Sequence, residues 1–322
     1  MTSITTPVSI KLAAAVACVF LAGLFGCTDA GPKRVIGISI MTSENPFFVE
    51  LAQAAAAEAA KHDFSVEIVS GDKKAENQAR QVQDFIAKKV HAILLTPCNA
   101  QLVGAPIKAA NKAGIPVFTA DTGCLDPSAK VVSHVATDNY SGGKQAGYAM
   151  IEALGGKGGK ILVLSYDVAQ SCLARVKGFR EVIDAHNQAQ ADARIEIVAE
   201  LPGEASREPS SRATADTLEK NSDLVGVFAI NDPSALGSVA AIEAAGKQSQ
   251  IKVIGFDGQK IGKQAIKEGK VYADPIQFPK KMGRMIVQQM VKYFDGELPP
   301  RLIPIPTSLY RRADAEQDPD LK

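Results

Sequence analysis

Val35-Ile36-Gly37-Ile38-Ser39-Ile40-Met41, running directly into Thr42-Ser43-Glu44-Asn45-Pro46-Phe47-Phe48, is the stretch that decides the fold. A short β-branched run reads as a strand. Pro46, whose fixed φ suits a first helical turn, then opens a longer stretch of helical character, and Asn45 stands where a helix cap belongs. The same alternation continues outward. Strands are predicted at Val35–Met41, Ser65–Val69, Ala92–Leu95 and Pro116–Ala120, with helices at Phe47–Lys61, Ala75–Lys88 and Gln101–Lys112 between them. Repeated βα units of this kind build a parallel sheet.

The pattern restarts after Asp138, with strands near Lys160–Leu164, Arg194–Val198, Gly226–Ala229 and Lys252–Gly255. Two consecutive series predict an α/β protein of two similar doubly wound lobes. The break falls near Ser133–Asn139, read as a strand running into a polar, Gly-rich turn. Val271–Pro275, a helix at Pro279–Phe294 and the Pro-rich Leu298–Pro306 follow, and a late return to the first lobe is expected here. The lobes then comprise 34–137 with 278–306, and 138–277 with 307–322. A hinge of several strands restricts their motion to opening and closing.

Composition narrows the function classes. With 322 residues, 46% hydrophobic, and a formal charge of +1 spread over interspersed acids and bases, the chain has core material for two domains. It has no basic footprint for nucleic acid or anionic lipid. Near the start, Lys11 precedes an apolar run from Leu12 to Phe25 that is too short to span a bilayer and ends in small residues, which reads as an export signal over 1–26. Leu24-Phe25-Gly26-Cys27 resembles the bacterial lipoprotein box, with Phe25 larger than the usual residue. Cys27 is therefore the expected lipidation site, and 27–33 a short tether to the membrane.

Cys98, Cys124 and Cys172 are an odd set, which excludes a fully paired disulfide framework and leaves a single Cys98–Cys124 bridge open. Neither these cysteines nor the four histidines have zinc spacing, so no metal and no cofactor is expected. Gly155-Gly156-Lys157-Gly158-Gly159-Lys160 resembles a phosphate loop only loosely. It lacks the hydroxyl residue after its lysine and precedes a strand, so it reads as a helix-to-strand turn. Ser165 has no nucleophile-elbow setting and His134 falls in a hinge-like strand, so the chain is read as a non-enzyme.

In open α/β sheets ligands bind beyond the carboxyl ends of the strands. Those ends carry Asn45, Phe47 and Phe48, then Asp121, then Asn231-Asp232, then Phe256-Asp257-Gly258. Acids, amides and aromatic faces are what a polyhydroxylated ring requires: hydroxyls donate to carboxylates and accept from amides or a guanidinium, while the ring face packs on an aromatic. Asp121 and Asp257 are the natural acceptors, and Arg175 offers a two-pronged donor. Asp232 is read as the cap of a helix beginning at Pro233.

At these residues the chain resembles the type I periplasmic binding proteins, most closely the ribose-binding group serving ATP-driven sugar transporters. The segments carrying the resemblance are Ile38–Met41 with Asn45–Phe48, Ser133–Asn139 with Gly142-Gly143, Val227–Asp232 with Ala235-Leu236-Gly237, and Val253–Gly258. It spans about Arg34 to Pro306. The resemblance implies a monosaccharide pocket using Asn45, Phe47, Phe48, Asp121, Arg175, Asn231 and Asp257, with Phe256 beside the ligand and Gln277 at the hinge. It implies a monomer of the periplasm or cell envelope whose partner is an ABC transporter permease. The alternative is a sensory receptor presenting its closed form to a chemoreceptor or sensor kinase. Thr122 stands where an arginine often follows the aspartate, and Ala205 near a position where an aromatic covers the sugar. Ribose itself is therefore not the expected ligand, and allose, xylose, fructose, a polyol or a sugar-like signalling furanose remain open.

Overall fold

A computed structural model describes residues 1–3 and 34–322. The tether and nearly all of the export segment, Cys27 included, lie outside the described residues. The first series forms β1 (Arg34–Ile40), α1 (Pro46–Ala60), β2 (Phe64–Ser70), α2 (Ala75–Ala87), β3 (Ala92–Leu95), α3 (Gly104–Lys112), β4 (Val117–Ala120) and β5 (His134–Thr137). The second forms α4 (Asn139–Ala153), β6 (Gly159–Ser165), α5 (Gln170–Ala189), β7 (Ile195–Pro202), α6 (Arg207–Lys220), β8 (Leu224–Ala229), α7 (Asp232–Ala244), β9 (Lys252–Ile254), α8 (Lys260–Lys267) and β10 (Ala273–Ile276). Then come α9 (Pro279–Phe294), β11 (Leu302–Ile305), β12 (Ser308–Arg311) and α10 (Arg312–Gln317).

Two six-stranded sheets result, ordered β11-β5-β4-β3-β1-β2 and β12-β10-β9-β8-β6-β7. All pairs are parallel except β10 with β12. In each sheet the first strand of its series lies between the second and the third, so both are doubly wound with the order reversing beside β1 and beside β6. The strands nearest those points are the most apolar: Ile36, Ile38, Leu94, Ile161 and Val163 are wholly buried. Burial on both faces explains why they read as unbroken β-branched runs.

The chain passes between the sheets three times, from β5 to α4, from β10 to α9 and from β11 to β12, and the crossings are tied together. The Asp138 amide donates to the Ile305 carbonyl at 2.9 Å. The Thr137 hydroxyl donates to Gln277 Oε1 at 2.7 Å, and the Thr307 hydroxyl donates to the Ile276 carbonyl at 2.6 Å. A hinge of three cross-bonded segments resists twist while permitting opening.

The structure corrects two local expectations and answers one question the sequence left open. Gly142-Gly143 is not a turn; it lies in the first turns of α4, which begins at Asn139 under the cap of Asp138. A Cβ at Gly143 would overlap the Arg175 carbonyl, and one at Gly178 of α5 would overlap the Tyr140 carbonyl. Close approach of the two helix backbones, rather than chain reversal, selects glycine there. Asp232 is not the cap of α7. Asn231 is, with extended backbone and its Oδ1 accepting from the Ser234 amide at 3.0 Å. Finally, Cys98, Cys124 and Cys172 are all free. Burial pushes the Cys98 and Cys172 thiols up to about 12, so neither is a ready nucleophile.

The Gly155–Gly159 segment does connect α4 to β6 as a helix-to-strand turn. His134 opens β5 with its ring against the Thr119 hydroxyl at 2.9 Å, and burial draws it down to about 4, leaving it neutral. No helix among the described residues is long and apolar enough to cross a membrane.

Candidate functional site in the interlobe cleft

Each strand end places one side chain for a local reason. Asn45 caps α1, its Oδ1 accepting from the Phe47 amide at 3.0 Å, and this fixes where Phe47 and Phe48 emerge. The two rings stand perpendicular at 86°, centroids 5.1 Å apart, both buried and both bordering the cleft. Asp121 follows β4 and Asp257 follows β9. Both have left-handed backbone, φ +64° and +103°, a conformation costing on the order of 1–3 kcal/mol in a residue with a side chain. Holding that strain at matching strand ends of both lobes aims the two carboxylates into one space.

That space is a small cavity between the lobes. Asn45, Phe47, Phe48 and Asp121 border it from the first lobe, and Arg175, Asn231 and Asp257 from the second. Gln277 borders it from the hinge. Thr122 and Ala205 are on its wall as well.

Arg175 organises the electrostatics. Wholly enclosed, it donates through Nε to Asn139 Oδ1 at 2.8 Å, and through Nη1 to the Ile230 carbonyl at 2.6 Å and Asp257 Oδ1 at 3.0 Å. Its guanidinium lies 3.9 Å from the centre of the Phe256 ring. Gln277 Nε2 also donates to Asp257 Oδ1, at 2.6 Å. One oxygen of Asp257 is thus fixed by two donors. Burial raises the Asp257 carboxyl above its ordinary range, with Arg175 and Gln277 acting in the opposite sense. Burial pushes Asp121 up to about 6; Arg175 pulls it down, the Asp257 charge pushes it further up, and the Thr122 hydroxyl at 3.2 Å pulls down.

Eight of the nine residues predicted from sequence therefore come together. Phe256 does not line the cavity. It lies behind Arg175, wholly buried, with its ring edge against Gly142, so it supports the guanidinium rather than the space in front of it. Asn231 serves two local bonds besides facing the cavity, the α7 cap and a donation to the Ala205 carbonyl at 3.3 Å.

Sequence reasoning missed Thr42, Lys73, Tyr166 and Ser171, which also line the cavity. The strand-end rule contained the signal for three of them, since they follow β1, β2 and β6 directly. Ser171 lies in the first turn of α5 and meets Thr122, oxygen to oxygen at 2.9 Å. At Thr122, where the sequence departs from the pattern its resemblance implies, a hydroxyl bridge joins the lobes.

Behind the cavity, Asp232 and Asp274 are fully buried side by side. Burial and mutual repulsion raise Asp232 well above the usual carboxylate range, so it keeps its proton and donates a hydrogen bond to Asp274. Asp232 Oδ2 accepts from the Gln259 amide at 2.6 Å. The pair thereby anchors the loop that carries Asp257.

Two doubly wound lobes, three crossings, and a polar cavity at the facing strand ends define a binding protein that encloses a small solute. Residues 36–298 match the periplasmic binding protein domain, and the chain belongs to that family of solute-binding proteins. It is 33% identical over 289 residues to the ribose import binding protein of Escherichia coli (strain K12), covering 89% of this chain and 93% of that one. It is 31% identical over 285 residues to the ribose import binding protein of Bacillus subtilis (strain 168), covering 88% and 89%. An ABC transporter periplasmic solute binding protein from Actinobacillus succinogenes 130z with bound D-allose superposes with a TM-score of 0.80 at 26% identity, covering 89% of this chain and 100% of that one.

Proposed function

We propose that this protein is the substrate-binding component of an ATP-driven sugar importer, enclosing one monosaccharide between its lobes and presenting the closed form to the permease. The observation that carries the reading is the cavity itself. Two strained, buried carboxylates, Asp121 and Asp257, face it from opposite lobes with Arg175 between them in charge, and Phe47 and Phe48 border it. Adjacent hydroxyls donate to the carboxylates, and the sugar's C–H face packs on the aromatic edges. No bond is made or broken. Transport is favoured over sensing because the relatives at 30% identity or above are import binding proteins.

Closure brings 34–137 with 278–306 against 138–277 with 307–322 about the three crossings. An affinity near micromolar, about −8 kcal/mol, suits a small polar ligand held by charged partners on both sides. A thermal-shift screen of the purified protein against pentoses, hexoses, polyols and furanoses tests the reading, because a ligand at 100 times its Kd stabilises by about 2.7 kcal/mol. One compound, or a few stereochemically related ones, will raise the melting temperature. A folded protein that responds to none of them would refute the assignment.

Binding carries a pH signature. Hydroxyl donors stabilise the charged form of Asp121, so protonation competes with the ligand. Affinity is expected to hold at pH 7–8 and to fall below pH 6, by up to about tenfold per pH unit. Asp121→Asn will flatten that slope. A wild-type Kd constant from pH 8 to 5 would remove Asp121 from the contact set.

The same reading includes a lipid anchor on Cys27 in the cell envelope, supported by the Leu24–Cys27 box. Cys27→Ser is expected to move the protein from the membrane fraction to the soluble fraction of its host. Retention on the membrane would exclude the anchor.

A further inference from the structure

Lys73 follows β2 in the first lobe and is, among the described residues, the one cation that lobe contributes to the cavity wall. Its Nζ hydrogen-bonds the Ser206 hydroxyl and donates to the Glu204 carbonyl at 3.4 Å, both in the connection between β7 and α6 of the second lobe. These two partners flank Ala205, itself on the cavity wall. Glu44 Oε2 lies 4.0 Å from the ammonium.

Both turns that meet here are strained. Asp72 and Lys73 have φ of +52° and +60°, and Glu204 and Ala205 have +50° and +48°. Consecutive left-handed residues with side chains are unfavourable, and they persist where surrounding structure holds them. In the first turn the Lys73 amide donates to the Met41 carbonyl at 2.8 Å. In the second, the Gly203 amide donates to the Ser165 carbonyl and the Ser206 amide to the Gly203 carbonyl, each at 3.0 Å. The two turns follow equivalent strands of the two series, so closure brings matching loops together. An ammonium has three donors, of which Glu204 and Ser206 engage two.

We propose that Lys73 is both a closure latch and a specificity-determining residue: it fastens the Glu204–Ser206 turn to the first lobe over the bound sugar, and its third N–H donates to a sugar oxygen lying against Ala205. The alanine methyl leaves room for that oxygen, and the lysine supplies the donor. The ligand's identity rests on the sugar reading; the latch does not.

The test uses full-length protein carrying Lys73→Met, Lys73→Arg, Ser206→Ala and the Lys73→Met/Ser206→Ala pair. Lobe separation is measured without sugar, by a distance distribution between one spin label on each lobe, and release of the sugar identified by screening is measured by stopped flow. Lys73→Met is expected to shift the unliganded distribution toward open and to release sugar about tenfold faster, with association changed less than about threefold. Ser206→Ala will give part of that effect, the double variant no more than Lys73→Met alone, and arginine will restore most of it. The deoxy analogue lacking the oxygen beside Ala205 will lose affinity for wild type but not for Lys73→Met. An unchanged distance distribution and an unchanged release rate in Lys73→Met would overturn the latch. Equal discrimination of the deoxy analogue by both proteins would overturn the specificity role. Should wild type bind no sugar, the function reading fails while the distance measurement still decides the latch.

Discussion

Arg175→Met is expected to abolish measurable sugar binding, weakening affinity by about 3–5 kcal/mol, and to lower the melting temperature as well. The guanidinium is enclosed and donates to three partners, one of them the Asp257 carboxylate. Methionine fills much of the volume but leaves the buried Asp257 carboxylate with neutral amide donors alone. Breaking a buried ion pair from one side is costly because the surviving charge has neither water nor partner. The Ile230 carbonyl and Asn139 Oδ1 lose their donor in the same step. Arg175→Lys is the sharper control. It keeps the charge but cannot span Asn139, Ile230 and Asp257 together, nor spread a planar face over Phe256 at 3.9 Å. Calorimetric titration and a melting curve on each variant check the expectation; wild-type affinity in Arg175→Met would remove the guanidinium from the site.

Asp257→Ala is expected to weaken binding by about 2–4 kcal/mol while both lobes stay folded. The substitution removes a sugar hydroxyl's acceptor and leaves Arg175 and Gln277 with donors aimed at nothing. One gain opposes the loss, since alanine relieves the burial of a carboxylate already raised above its ordinary range. The melting temperature of the unliganded variant is therefore expected to stay within a few degrees of wild type, in contrast to Arg175→Met. A titration giving the wild-type Kd would take the carboxylate out of the binding set.

Much of this arrangement was legible before any coordinates. The β-branched runs announced themselves because central strands of parallel sheets are buried on both faces, and the rule that ligands lie beyond strand ends led directly to Asp121 and Asp257. Other features depended on tertiary demands that local sequence does not carry. Gly142-Gly143 has the composition of a turn, yet packing of α4 on α5 requires glycine within a helix. Asn231 and Asp232 are adjacent and both able to cap α7. The extended backbone of Asn231 makes it the cap, while Asp232, the first residue of α7, is buried against Asp274. Phe256 lies in a ligand-site motif, but its ring faces the back of Arg175, an orientation that motif spacing does not encode. Lys73 and Tyr166 follow strand ends, as Thr42 does, and so fall under the same rule, but their short loops carry no periodicity that sets them apart from other loop residues.

Calorimetric titration of wild type and Asp257→Ala in parallel, using the sugar found by thermal shift, decides whether the sugar is held at the interlobe carboxylate. One sugar per chain at roughly micromolar Kd is expected for wild type, with the heat of binding lost or the Kd raised at least about thirtyfold in a folded Asp257→Ala protein. Equal titrations for the two proteins would mean that sugar binds elsewhere, and absence of heat with every sugar in folded wild type would mean that the cleft encloses a different class of solute.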